Sequence, residues 1–163
     1  MRAPSTPAAH LRGITLIEIL IVVVIVGILS SIAIPSFSEM IASQRVRSAA
    51  SDAHASLLLA RSEAIKRNAT VNVTPNDPDN WALGWKIAVS GTDILVQDAY
   101  SGIAIAALDR DTITFESTGR PNKDTREEIH DAGYALKVTS TVHSVPARCI
   151  SLSLNGMPES RSC

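Results

Sequence analysis

Apolar residues follow three successive patterns along the chain. From Ile14 to Ile34 they are almost continuous, interrupted only by Thr15, Glu18, Gly27, Ser30 and Ser31. A helix of that length, rising about 1.5 Å per residue, spans roughly the 30 Å hydrocarbon layer of a bilayer. From Ser36 to Asn68 the sequence is rich in Ala, Leu, Arg and Glu with few helix breakers, which predicts that the helix continues. The two segments together make one rod of about 55 residues, on the order of 80 Å long. Val46, Ala50, Ala53, Leu57, Ala60 and Ala64 form one stripe along it, the pattern of a helix lying on a sheet. Phe37, Met40 and Ile41 form a second cluster that, at about 100° per residue, points almost opposite on a straight helix. Two faces call for two partners: the protein's own sheet for the stripe, and neighbouring helices in an assembly for Phe37, Met40 and Ile41.

After Asn68 the pattern changes to short runs of Val, Ile and Thr separated by turn clusters such as Pro75-Asn76-Asp77-Pro78. Strands are expected near 70–74, 84–89, 93–97, 112–116, 134–139 and 149–154, in an antiparallel two-sheet domain. The stretch Lys123 to Asp131 reads as a solvated loop because it crowds acids and bases together. The fold class is α+β, a long N-terminal helix packed on an antiparallel β-sheet domain. The divisions expected are 1–13 as a leader, 14–35 as a membrane and assembly helix, 36–68 as its amphipathic continuation, and 69–163 as a β-rich domain.

Composition limits the chemistry. A length of 163 residues with 45% apolar content supports one core plus an anchor, and a formal charge of −1 announces no polyanionic partner. Without residues 1–13 there are 13 basic and 16 acidic residues, a formal −3. The cysteines are Cys149 and Cys163. In an oxidising compartment a disulfide between them would contribute about 3 kcal/mol by chain entropy; in a reducing one they are two separate thiols. His10, His54, His130 and His143 lack metal-ligand spacing, and no nucleophile elbow or phosphate loop occurs, so no catalytic activity, metal or cofactor is expected. Asn68 and Asn72 begin weak glycosylation sequons.

Arg2 and Arg12 precede the apolar run, an arrangement that keeps the N-terminus cytoplasmic and sends the rest of the chain outward. A secretory signal cut after Ser31-Ile32-Ala33 would need a shorter apolar region, and a plain uncleaved anchor leaves Glu18 without a purpose. An acidic side chain in a spanning helix costs up to about 3 kcal/mol at the centre and less near the interface. A third reading cuts between Gly13 and Ile14, removing the basic leader and keeping the helix.

Residues 13–18, GITLIE, resemble the class III signal of type IV prepilins and type II secretion pseudopilins. The resemblance implies that a membrane prepilin peptidase cuts after Gly13 and N-methylates Ile14, where Phe is usual. It also implies that Glu18 attracts the N-terminal amine of a neighbouring subunit, so that one buried charge meets another. Gly27 and Pro35 fall where such helices carry their breakers, and a kink or local melting is expected there. The stretches LLLARSEAIKRNATVNV (57–73), ITFESTGRP (113–121) and RCISLSLNG (148–156) narrow the resemblance to GspH/FimT minor pilins and pseudopilins. The implied role is a subunit of the tip or priming complex of a type IV pilus, with the pseudopilus of type II secretion as the alternative. The implied partners are the peptidase, other major and minor pilins or pseudopilins, and the inner membrane. A plain membrane-anchored periplasmic domain is the rival outside filaments.

Some members of that family bind DNA through a basic tail. Here the Gly-Arg-x-Arg pattern has become Gly156-Met157-Pro158-Glu159, and Arg161 is the tail's only arginine after Gly156. DNA contact would therefore need Arg120, Lys123, Arg126, Arg148 and Arg161 to converge, since each neutralised phosphate contributes separately to affinity. DNA is accordingly a possible partner but not the favoured one.

Overall fold

The computed structural model describes residues 14–107 and 112–163. It divides into two compact units, one ending at Phe37 and the other running from Ser38 to Cys163. The first helix, α1, covers Leu16–Arg67 and is helical without interruption through Gly27 and Pro35, so the local melting expected there is not found. Its far end stops where Asn68 turns left-handed, at φ 49°. The Asn68 N–H then donates to the Ile65 carbonyl and the Ala69 N–H to the Ala64 carbonyl, satisfying acceptors the helix would leave open.

In the second unit the chain continues as β1 (Val71–Pro75), a short 3-10 turn (Trp81–Leu83), β2 (Trp85–Val89), β3 (Thr92–Val96), β4 (Ile103–Ala107) and β5 (Ile113–Phe115). It ends with α2 (Lys123–Ala132), β6 (Leu136–Ser140), β7 (Arg148–Leu152) and β8 (Pro158–Ser162). Two four-stranded antiparallel sheets result, ordered β3-β2-β1-β5 and β4-β6-β7-β8. The six expected strands are all present, with ends within a residue or two of those expected. β4 and β8 were not anticipated.

The stripe Val46, Ala50, Ala53, Leu57, Ala60 and Ala64 is buried, joined by Ala49, in one cluster with residues of both sheets. Alanine at five of these seven positions brings the helix backbone close to the strands, leaving the bulk to Trp85, Phe115, Ile87, Ile113, Leu136 and Ile150 on the sheets. Alternation within the strands follows: Val71, Val73, Ile87, Val89, Ile103, Ile105, Leu136 and Val138 turn inward.

The segment read as a loop, Lys123 to Asp131, is helix α2. Its charges are solvated as expected, but its ends carry helix signals that outweigh them. Asn122 caps the start, its Oδ1 accepting from the Thr125 N–H at 2.9 Å, and Gly133 closes the end in the left-handed region, donating to the Ile129 carbonyl. Thr125 and Ile129, one turn apart, supply the buried face, and the Thr125 hydroxyl accepts from the Thr114 N–H on β5.

Candidate assembly surface

Between Ile14 and Leu29 the described residues include thirteen Ile, Leu and Val side chains, each at least half exposed. This part of α1 is long and apolar enough to cross a membrane. Covering an apolar side chain of this size contributes about 1.5 kcal/mol or more, so thirteen amount to at least about 20 kcal/mol, above the whole net stability of an ordinary domain. Lipid or other apolar helices must supply that cover.

Glu18 sits in the first turn of α1, and its N–H points to the Thr15 hydroxyl oxygen at 3.3 Å. Thr15 thus occupies the N-cap position with Glu18 three residues on, the spacing of a capping box, and the carboxylate lies at the positive end of the helix dipole. It is the only ionisable side chain from Gly13 to Ser38. Gly13 and the side chain of Pro35 lie outside the described residues. Phe37 is 64% exposed in the first unit, and Met40 and Ile41 are exposed in the second, while Ala42 and Val46 beyond them are buried.

The five basic candidates do not all converge: Arg120, Lys123 and Arg126 gather near Leu154, whereas Arg148 lies in a separate cleft. Arg120 Nε donates to the Leu154 carbonyl at 3.1 Å, so this guanidinium holds a turn. Lys123 pairs with Glu127 across one turn of α2, and both line a cleft with Arg126, His130, Asp131 and Leu154 in which the charges are mixed. Arg161 points away from the core and its Nη2 donates to the Gly133 carbonyl at 2.9 Å, tying β8 to the end of α2. Arg148, on β7, faces α1 instead and lines a separate cleft with Arg47, Ala50, Ser51, His54 and Ser160. Cys149 and Cys163 are joined in a disulfide with a Cα–Cα distance of 5.2 Å, which closes the β7–β8 hairpin.

Two constructions were not read from the sequence. The first is a clamp on the Asn155-Gly156 turn: Arg61 on α1 donates to the Asn155 carbonyl, Arg120 donates to the Leu154 carbonyl, and Gly156 lies against the Gly119 backbone. The stretches ending in GRP and LNG therefore meet. The second is Tyr100, whose hydroxyl donates to Asp52 Oδ2 at 2.8 Å and whose ring stacks on Trp85. Burial, reinforced by the Asp52 carboxylate, pushes the phenol upward and keeps it protonated. No local motif announced either.

Residues 49–156 match the family model described as type II transport protein GspH, about two thirds of the chain. The chain belongs to that family. Residues 10–34 match the prokaryotic N-terminal methylation motif, which implies processing by a prepilin peptidase and an assembly context of pilins or pseudopilins. No curated protein matches the chain. Two crystal structures of the type IV minor pilin FimU of Pseudomonas aeruginosa share its fold at 18% identity. One covers 71% of this chain and 91% of FimU with a TM-score of 0.56, the other 72% and 89% with a TM-score of 0.57. The long helix on antiparallel sheets is thus the architecture of a type IV minor pilin. The family is one of structural subunits, and the apolar start of α1 fits anchoring in the inner membrane.

Proposed function

We propose that this protein is a minor prepilin that becomes a structural subunit of the tip or priming complex of a type IV pilus. Residues 1–13 act as a leader, cut between Gly13 and Ile14, and Ile14 is then N-methylated. Before assembly the segment from Ile14 to Pro35 spans the inner membrane with the N-terminus cytoplasmic and the β-rich domain periplasmic. On assembly it exchanges lipid for the helices of other subunits. The observation that carries this reading is the uncovered apolar start of α1 with one carboxylate in its first turn. In lipid that carboxylate is a cost; beside the amine of the next subunit it sets register. Gly27 and Pro35 shape the assembling helix, and Phe37, Met40 and Ile41 extend its contact face.

The tail closed by Cys149 and Cys163 is the reason for preferring a pilus, because it resembles that of pilus members. A second reading, a minor pseudopilin of type II secretion, is favoured by the family model itself, which is named for that transport. The two separate by phenotype. A strain lacking the chain should lose pili in the first case and should retain normally exported substrates in the periplasm in the second. Complementation with Glu18→Ala should give protein that is cleaved and N-methylated yet fails to restore the filament. Full restoration of filaments would refute the role given to the charge.

A further inference from the structure

The inner faces of the strands are apolar almost everywhere, and the exception is the edge beside β8. There Arg148 and Ser160, on the faces of β7 and β8 that turn toward α1, meet Arg47, Ser51 and His54. With Ala50 they line a cleft of about 440 Å³. Arg47, Ala50, Ser51 and His54 follow i, i+3, i+4, i+7 spacing, so they form one strip of α1 that meets its buried stripe at Ala50. His54 Nε2 donates to the Pro158 carbonyl at 3.1 Å, fixing the imidazole at the floor between helix and strand. Among the described residues no acidic side chain lines the cleft. Neither Arg47 nor Arg148 has a side-chain hydrogen bond or ion pair among the described residues.

A planar carboxylate accepts charge-assisted hydrogen bonds from guanidinium groups in pairs, and two such groups line this cleft. We infer that the Arg47–Arg148 cleft receives an acidic side chain of a neighbouring filament subunit, a polar contact that adds register to the non-directional cohesion of the apolar helices. This inference rests on the filament reading above. A nucleic-acid occupant fits less well, because two cations supply only about two counterion-release contributions where a duplex presents a run of phosphates.

The test uses the full chain in its own membrane, with a photoreactive residue replacing Ser51 at the cleft and, in a parallel strain, Val22 in the apolar segment. The Ser51 probe should cross-link to another subunit at a segment carrying Asp or Glu. Yield should fall about tenfold or more in the Arg47→Glu, Arg148→Glu double variant and persist with Lys at both positions. Replacing the partner's acid by Lys in the Glu background should restore the cross-link, which a misfolded variant cannot do; retention of the Cys149–Cys163 disulfide on a non-reducing gel checks the fold independently. If Val22 cross-links to subunits while Ser51 yields nothing, cross-links to nucleic acid, or cross-links equally in the Glu variant, the cleft inference fails and the filament reading stands. If Val22 finds no subunit either, both fall.

Discussion

Substitution of Gly156 by alanine isolates the contact between the two glycine turns. Gly156 has φ 81°, a conformation that costs an L-residue about 1–2 kcal/mol. A Cβ there would lie 2.0 Å from the Gly119 carbonyl oxygen, a backbone atom that no side-chain rotation can move aside. The turns must therefore separate, disturbing the Arg61 and Arg120 hydrogen bonds to Asn155 and Leu154 that hold them. We expect a total loss of about 3 kcal/mol, which for a domain of this size lowers the melting temperature by roughly 10 °C. Gly91 supplies the control: its φ is 82° and a Cβ there meets nothing within 4 Å, so Gly91→Ala should cost only the conformational part, about 1 kcal/mol. Thermal melts of both variants, as mature full-length protein in detergent micelles, provide the comparison. Equal losses at the two positions would show that the close approach contributes nothing and would refute the reasoning.

Two further predictions concern the second half of α1 and the far sheet edge. The Glu63 carboxyl is held below its ordinary value chiefly by the hydrogen bond from Arg67, with Lys66 assisting and burial opposing. Its folded pKa is depressed, so its stabilisation is present above the unfolded value and lost as pH falls through the folded one. The melting-temperature gap between wild type and Glu63→Gln should therefore be constant above the ordinary value of 4.5 and close below it; a gap that widens in acid would contradict the sign. In Cys163→Ser, β8 loses its staple while only Pro158 of that strand is buried. Hydrogen exchange should accelerate along β8 and leave β1 and β2 protected, with a stability loss of about 2–4 kcal/mol. Uniform acceleration across both sheets would mean that the disulfide supports the whole core.

The long helix and its stripe were legible because helical periodicity from Val46 to Ala64 survives over five turns, and burial against a sheet needs nothing else. The strands with β-branched inward residues were legible for the same reason. β4 was not, because IAIAA offers two bulky residues and three alanines, a composition that helix and strand share. β8 was not, because PESRS has no apolar alternation, and its place comes from pairing with β7 and the link to Cys149. α2 was not legible from charge density, because what makes it a helix is the pair of caps, Asn122 and Gly133, at its ends. In the candidate site, Glu18 and its apolar surroundings could be read directly from local sequence. The cleft of Arg47, His54 and Arg148 could not, because it joins residues a hundred positions apart and exists only once β7 and β8 lie beside α1.

The central claim is that lipid is a temporary environment for α1 and that the chain is processed for a filament. Mass spectrometry of the protein purified from its membrane tests this most directly. The account predicts an N-terminus at Ile14 carrying one methyl group, about 14 Da above the unmodified mature chain, with no leader attached. An intact leader, or a cut after Ala33 that discards the apolar helix, would contradict it.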